Sequence, residues 1–435
     1  MKLKNKKVLV YGLSTSGKWV SNILIKHKAI VFLYDDDLTK LRNKNLKSCY
    51  LVQELNEKMI ADLDFLIVSP SIEKDNQFLL MAKRYNKKIF SEVEFSALFC
   101  KHIVAITGTN GKTTTTELVT QMLKKKHKAV ACGNIGYSLS QAVIEKKNHI
   151  KVVEVSSFML ENADTFSPQV ATVLNIEPDH LVRHKTMEEY TNLKLSIFKN
   201  LTPKDYAVLN LDNKITTNKN CKIVTYSYNK PANVNVVNGY ICLNNEKVVA
   251  INELNLKGKH NIYNVMCAIC FAYIYKVKIP QIKQAILDFK IERFRIEKIA
   301  QVNGINFIND SKSTNIASTI ACVESIKGSI ILILCGSKKS LDYVTLFKSL
   351  PKRIKQIVLF GEITDQVKQA NTDFKIEVVD NMQQAVDFAI KIALKNDNVV
   401  LSPSSASYDQ YSSFVERGED FNKWVKNYEQ QNKKK

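Results

Sequence analysis

No apolar run in this chain approaches the roughly 18 residues that a membrane-spanning helix needs, so no transmembrane helix is expected. No secretory leader is evident either. Met1-Lys-Leu-Lys-Asn-Lys-Lys7 is basic, but the apolar run after it, Val8–Tyr11, is short and ends at Gly12. A cytoplasmic location is expected. A disulfide framework is not expected from nine scattered cysteines, an odd number in a chain of 435 residues. Cys267 and Cys270 form a CxxC without a second one to complete a metal site. They sit in the apolar run Ala268-Ile-Cys-Phe-Ala272 and read as packing. His180 and His184 lack a surrounding His-Glu-x-x-His, so a structural zinc is not expected. Pro- or Gly-rich linkers, internal repeats, nucleic-acid motifs and aromatic-plus-basic stripes are all missing. Acid is the remaining shortage: 42 Asp and Glu against 63 Lys and Arg give a formal net charge of +21. Most of the excess lies in clusters at Lys2–Lys7, Lys40–Lys47, Lys124–Lys128 and Lys433–Lys435, away from the motifs below, and reads as solvated background.

What is present is an ordinary globular mix, 45% hydrophobic and 24% charged. The length suggests roughly three domains. Short β-branched runs alternate with helical stretches, the pattern of parallel α/β sheets. Strands are expected at Lys7–Tyr11, Ala29–Tyr34, Leu63–Ser69 and Lys88–Phe90, then at His102–Thr107, Lys151–Val155 and Val170–Ile176. Asn-Gly at 238–239 and Asn-Asn at 244–245 predict hairpins, followed by a helix from Asn261 to about Lys276. A third series carries strands at Ile305–Ile308, Ser329–Leu334, Gln356–Phe360, Lys375–Val379 and Asn398–Leu401. Pattern changes place the boundaries near residues 97 and 297, giving domains 1–97, 98–297 and 298–435.

The sharpest local signal is Gly108-Thr-Asn-Gly-Lys-Thr113, between an apolar strand and a helix. Backbone N–H groups of such a loop cradle phosphate oxygens; Lys112 would face the terminal phosphates and Thr113 a Mg²⁺. Ile106 stands where the general P-loop pattern has its first Gly, so this is a shorter Gly-x-x-Gly-Lys-Thr variant. Glu154 ends the strand Val152–Ser156, where either a metal ligand or a capping carboxylate would sit. Asn175-Ile-Glu-Pro-Asp-His180 brings an acid and a His off a strand end. In the third series, polar turns follow three strands: Asn309–Asn315, Gly336–Ser340 and Ser402–Ser407. The first of these reads as ligand contact or as an N-cap by Asp310 or Ser311. Gly12-Leu-Ser-Thr-Ser-Gly17 with Asp35 is Rossmann-like, but Ser14 replaces the middle Gly.

Together these segments resemble the Mur ligases, ATP-dependent amino-acid-adding enzymes of peptidoglycan synthesis, and most of all their D-glutamate-adding branch. The resemblance runs from Gly12 to Trp424. It rests on the P-loop, Gly-Asn-Ile-Gly (133–136), Glu-Val-Ser-Ser-Phe (154–158), Asp-His (179–180), His-Asn-x-x-Asn (260–264), Phe-Arg-Ile-Glu (294–297), Asn309–Asn315 and Ser-Pro-Ser-Ser-Ala-Ser-Tyr-Asp-Gln (402–410). It implies three α/β domains: an N-terminal Rossmann-like domain for a UDP-sugar, a central P-loop ATPase domain and a C-terminal Rossmann-like domain for the amino acid. The implied reaction joins D-glutamate to UDP-N-acetylmuramoyl-L-alanine through an acyl phosphate, with ATP as co-substrate and two Mg²⁺. The implied catalytic residues are Lys112, Glu154, His180 and Lys194, with Thr113, Glu154 and His180 on metal. Lys194 matches a lysine that the family carbamylates; read without the resemblance it is a helix-surface lysine. ATP contacts fall on Gly108, Thr109, Asn110, Gly111, Lys112, Thr113, Thr114, Asn261, Asn264, Arg295 and Asp310. The UDP-substrate falls on Thr15, Ser16, Asp35 and Asn134, and D-glutamate on Lys312, Thr314, Lys339, Ser407 and Phe414. The chain departs from the family pattern at Ser14, Asp37, Ser71 and Val182. A monomer is expected, with small-molecule partners only, no nucleic acid and no membrane insertion. The competing readings are a sibling Mur ligase, a folylpolyglutamate synthase or a P-loop kinase. The diamino-acid-adding sibling usually shows Asp-Asn-Pro-Arg where this chain has Ser340-Leu-Asp-Tyr343. A kinase would not need Asp310, Lys312 and Lys339.

Overall fold

The computed structural model describes all residues except 14, 37–47, 257, 291–292, 339–342, 371 and 434–435. Among the described residues, twenty strands form three sheets. The first contains β1 (Lys7–Tyr11), β2 (Ile30–Tyr34), β3 (Cys49–Leu51), β4 (Phe65–Val68) and β5 (Lys88–Ser91), in the order β3-β2-β1-β4-β5. All its pairings are parallel. Val8–Tyr11 and Phe65–Val68 are buried throughout, as expected where helices cover both faces of a parallel sheet. The strand order reverses between β1 and β4. The loops after these strands, from Gly12 and from Ser69, therefore flank the crevice where such sheets bind ligands.

The second sheet contains β6 (Ile103–Thr107), β7 (Ala129–Gly133), β8 (Ile150–Glu154), β9 (Val170–Val173), β10 (Tyr206–Asn210), β11 (Lys222–Ser227), β12 (Val234–Val237), β13 (Tyr240–Leu243) and β14 (Glu246–Ala250). Its order is β14-β13-β12-β11-β10-β9-β6-β8-β7. The expected hairpins form: Asn238 and Gly239 have φ of 49° and 78°, and Asn244 and Asn245 have 48° and 71°. Two successive left-handed residues match the right-handed twist of the flanking strands, which is why Asn and Gly stand there. The hairpins extend the main sheet itself, because β11 and β12 pair in parallel with the strand before them. The helix Lys259–Ile274 buries Cys267 and Cys270 completely, and all nine cysteines are free thiols. Burial pushes the Cys267 thiol up to about 12, so the CxxC is packing.

The third sheet contains β15 (Glu297–Val302), β16 (Ile305–Asn309), β17 (Ile330–Cys335), β18 (Ile354–Phe360), β19 (Ile376–Val378) and β20 (Asn398–Ser404), in the order β15-β16-β20-β17-β18-β19. Its antiparallel edge strand β15 carries no apolar run, and so escapes a hydrophobicity reading. Strands β16, β20 and β17 are neighbours, which sets the starts of the polar turns that follow them, at Asp310, Ser405 and Gly336, side by side. Residues 1–176, 183–255 and 261–289 form one compact unit, and residues 177–182, 256–260 and 290–435 another. Among the described residues no helix is long and apolar enough to cross a membrane.

Candidate active site

In the first unit the site is built around the loop between β6 and the helix Lys112–Lys124. Gly111, the residue before that helix, has φ of 80°, a left-handed geometry that favours glycine. A Cβ there would lie 2.5 Å from Asn264 Oδ1, so glycine is also required by space. Asn264 Oδ1 accepts from Thr115 Oγ1 at 3.2 Å, and its Nδ2 donates to Asn261 Oδ1 at 3.1 Å. The pair is buried, and the Asn-x-x-Asn spacing puts both amides on one helix face against the loop.

Asn175 pins the other side of the loop. Its Oδ1 accepts from the Asn110 N–H at 2.8 Å, its Nδ2 donates to the Asn110 carbonyl at 3.1 Å, and its carbonyl accepts from the Thr109 N–H at 3.0 Å. The sequence drew attention to the acid and His of this segment and missed its first residue. The signal was available: a polar residue just after a buried strand, beside the loop's own strand. The Lys112 ammonium donates to the carbonyls of Gly108 at 3.0 Å and Thr109 at 2.7 Å.

Lys194 is not a surface lysine. It is 1% exposed, its ammonium donates to the Gly108 carbonyl at 2.8 Å, and it lies 4.7 Å above the Tyr190 ring centroid. Tyr190 is itself buried, and its hydroxyl pairs with Thr109 Oγ1 at 3.1 Å. Two cations therefore converge on one loop carbonyl. Its charge hides its burial from a reading of the sequence, although Leu193 and Leu195 flank it.

Glu154 ends β8 and is 2% exposed. Its Oε1 accepts from Asn134 Nδ2 at 2.9 Å, while its buried Oε2 has no hydrogen-bond partner. A buried carboxylate oxygen left unpaired is costly, and a cation offsets that cost. The donor set therefore fits a hard divalent ion. Among the described residues no group of three His, Cys, Asp or Glu forms a metal cage. In the first sheet, Asp35 is buried and its Oδ2 accepts from the Leu13 N–H at 2.6 Å, holding the glycine turn closed. Thr15 and Ser16 open the helix Thr15–Lys26 directly after that turn. Ser14 and Asp37 lie outside the described residues.

The second unit holds the remaining candidates. Asp179 Oδ1 accepts from the His180 N–H at 3.0 Å, and its Oδ2 lies 3.4 Å from His180 Nε2. The same Oδ2 accepts from Asn315 Nδ2 at 3.2 Å. Asn315 is the N-cap of the helix Ile316–Ser325, so neither Asp310 nor Ser311 serves as the cap. Asp310 is instead fully buried. It accepts from the Ile296 N–H at 3.1 Å, from Ser313 Oγ at 2.5 Å and from Ser402 Oγ at 2.8 Å. Burial raises its pKa, against these hydrogen bonds and the field of Arg295. The Arg295 Nε is buried without a partner, a donor available to an anion.

The Lys312 ammonium lies 5.5 Å from the centroid of the Phe414 ring, and the Phe414 carbonyl accepts from Ser311 Oγ at 2.8 Å. Ser407 is buried and Thr314 half-buried. Lys339 lies outside the described residues. Arg417, absent from the sequence reading, joins these turns. Fully buried, it donates to Ser311 Oγ at 3.1 Å and to the carbonyls of Ser311 at 2.8 Å and Ser405 at 3.0 Å. It sits on a mostly polar helix, so nothing in its local sequence marks it.

A strand–loop–helix phosphate cradle, with a buried carboxylate at the next strand end, defines a P-loop nucleotide-binding protein of the α/β class. The Mur ligase middle domain matches residues 106–272, and the Mur ligase, glutamate ligase domain matches residues 294–405. A UDP-N-acetylmuramoylalanine–D-glutamate ligase from Caldanaerobacter subterraneus subsp. tengcongensis is 35% identical over 98% of this chain and 99% of its own. The ligase of the same name from Clostridioides difficile is 36% identical over 98% of this chain and 100% of its own. The fold is shared with a MurF ligase from Thermotoga maritima solved with ADP. That structure has a TM-score of 0.61 at 15% identity, covering 98% of this chain and 96% of that one. The chain belongs to the Mur ligase family.

Proposed function

We propose that the protein is an ATP-dependent ligase that joins D-glutamate to UDP-N-acetylmuramoyl-L-alanine in peptidoglycan synthesis, acting in the cytoplasm as a monomer. The observation that carries the reading is the pairing of a phosphate cradle, Gly108–Thr113, with the unpartnered Oε2 of Glu154. End-to-end similarity to ligases of that name supports the choice of substrates.

A carboxylate is a poor electrophile because its oxygen leaves badly as oxide. In the first step its oxygen attacks the γ-phosphorus and ADP departs, leaving an acyl phosphate. In the second, the amine of D-glutamate attacks the acyl carbon; the C–O bond to phosphate breaks, and the nitrogen loses a proton. Two anions must meet in the first step, and Lys112 supplies charge against their repulsion. Glu154 and Thr113 would hold one Mg²⁺ and His180 a second, each lowering the charge on the phosphates. Lys194 fixes the loop through the Gly108 carbonyl. Asn261, Asn264, Arg295 and Asp310 serve the nucleotide. Ser16, Asp35 and Asn134, with Thr15, serve the UDP-sugar. Lys312, Thr314, Lys339, Ser407 and Phe414 serve D-glutamate, whose two carboxylates suit paired lysines.

The test is phosphate release from ATP with UDP-N-acetylmuramoyl-L-alanine across a panel of amino acids. Release should require D-glutamate. Release without any amino acid, or preference for another one, overturns the assignment.

A further inference from the structure

Arg183 has no place in the chemistry above, yet it is the most heavily bonded arginine among the described residues of the first unit. It sits on the short helix Leu181–His184, and its side chain is 14% exposed. Its Nε donates to Glu161 Oε1 at 2.9 Å and its Nη2 to Glu161 Oε2 at 2.5 Å, a two-pronged pair. The Glu161 side chain is 3% exposed and follows the helix Ser157–Leu160, which begins just after Glu154. The Phe158 ring lies under the guanidinium, 4.6 Å from centroid to carbon. The remaining donors reach across to the first sheet: Nη2 donates to the Ile72 carbonyl at 2.9 Å and Nη1 to the Ser71 carbonyl at 3.4 Å.

Those two carbonyls belong to the loop after β4, at the crevice of the first sheet. The loop is a tight turn. The Ile72 N–H donates to the Ser69 carbonyl at 3.0 Å, and the hydroxyls of Ser69 and Ser71 pair at 3.0 Å. It also abuts the glycine turn, since a Cβ on Gly12 would lie 2.4 Å from the Ser69 Cβ. A second tie, Lys74 to Glu189 at 3.3 Å, is exposed at both ends and contributes little. Arg183 is the half-buried, charged and geometrically fixed connection. We propose that Arg183, held by Glu161, is a positioning residue: it sets the Ser71–Ile72 wall of the UDP-sugar crevice relative to the strand end that carries Glu154. The role in substrate binding rests on the functional reading above.

A fork of five donors matters here, because Arg183 must grip a carboxylate and two carbonyls at once. A lysine can satisfy one side only. Arg183→Ala should raise the KM for UDP-N-acetylmuramoyl-L-alanine at least tenfold while the KM for ATP stays within twofold. Arg183→Lys should recover part of that loss. Amide hydrogen exchange at Ile72 should quicken in Arg183→Ala, with exchange at Thr115 unchanged. Equal rises in both KM values, or an unchanged KM for the UDP-sugar with wild-type exchange at Ile72, overturns the proposal. So does a lowered melting temperature with neither readout moved. The exchange measurement needs no substrate, so failure of the positioning role is separable from failure of the functional reading.

Discussion

Gly111→Ala tests whether the nucleotide loop depends on the geometry described here. Two penalties act at this position. The first is conformational: φ of 80° places an L-residue in the left-handed region, at about 1–2 kcal/mol. The second is steric. A new Cβ 2.5 Å from Asn264 Oδ1 forces that buried amide to move. Its movement disrupts the 3.2 Å bond from Thr115 and the 3.1 Å bond to Asn261, each worth about 1 kcal/mol net. The total is about 3–4 kcal/mol against the loop shape that presents its N–H groups to phosphate. Restoring that shape on binding should weaken ADP affinity by about two to three powers of ten. Isothermal titration with ADP and Mg²⁺ reads it directly.

Gly239→Ala supplies the control. Its φ is 78°, almost the same, but nothing lies within 4 Å of its Cβ position. It isolates the backbone penalty at a hairpin far along the chain from the loop. ADP affinity should be unchanged there, with a small loss of thermal stability. Binding by Gly111→Ala within threefold of wild type would refute the reasoning, and equal weakening by both variants would refute its local basis.

Lys112→Ala should abolish turnover, by at least about 100-fold, while leaving the melting temperature near wild type; steady-state phosphate release and circular dichroism check both halves. Glu92 is fully buried, with Oε1 accepting from the Ser140 N–H at 2.7 Å and Oε2 unpartnered, and burial raises its pKa above the ordinary 4.5. A raised carboxyl pKa means the folded state holds its proton longer, so the wild type loses stability as pH rises from 4.5 through the folded value. Glu92→Gln keeps the acceptor without the charge, and should melt higher than wild type at pH 8 and equal to it near pH 4; equal melting curves at both pH values would refute the assignment. Arg417→Lys removes the fork that joins Ser311 to Ser405, and should raise the KM for D-glutamate about tenfold, with the KM for ATP little changed; steady-state kinetics distinguish the two.

How much of this was legible in the sequence follows from what each signal depends on. The buried parallel strands were plain, because Val8–Tyr11 and Ile103–Thr107 are apolar on both faces and no competing periodicity exists. The hairpins were plain because Asn-Gly and Asn-Asn answer a local demand for left-handed backbone. Strand β15 was not, since its burial is partial and, among the described residues, it pairs with β16 alone. The phosphate loop was legible as a motif, yet its supports were not. Asn175 and Tyr190 act on it from 65 and 81 residues away. Such contacts are set by which strands and helices end beside the loop, and a single sequence does not display that.

Lys194 and Arg417 show the deeper reason. Charge suggests exposure, because burying a cation alone is expensive. Both are buried because the fold supplies what water would have supplied. Lys194 has the Gly108 carbonyl and the Tyr190 ring; Arg417 has two carbonyls and a hydroxyl. The partners are mostly main-chain oxygens of polar turns, and main-chain oxygens carry no side-chain signature. The +21 charge therefore hid its informative members. The described lysines of the clusters at 2–7 and 124–128 are exposed or half-buried, whereas Lys194 and Arg417 are each buried singly.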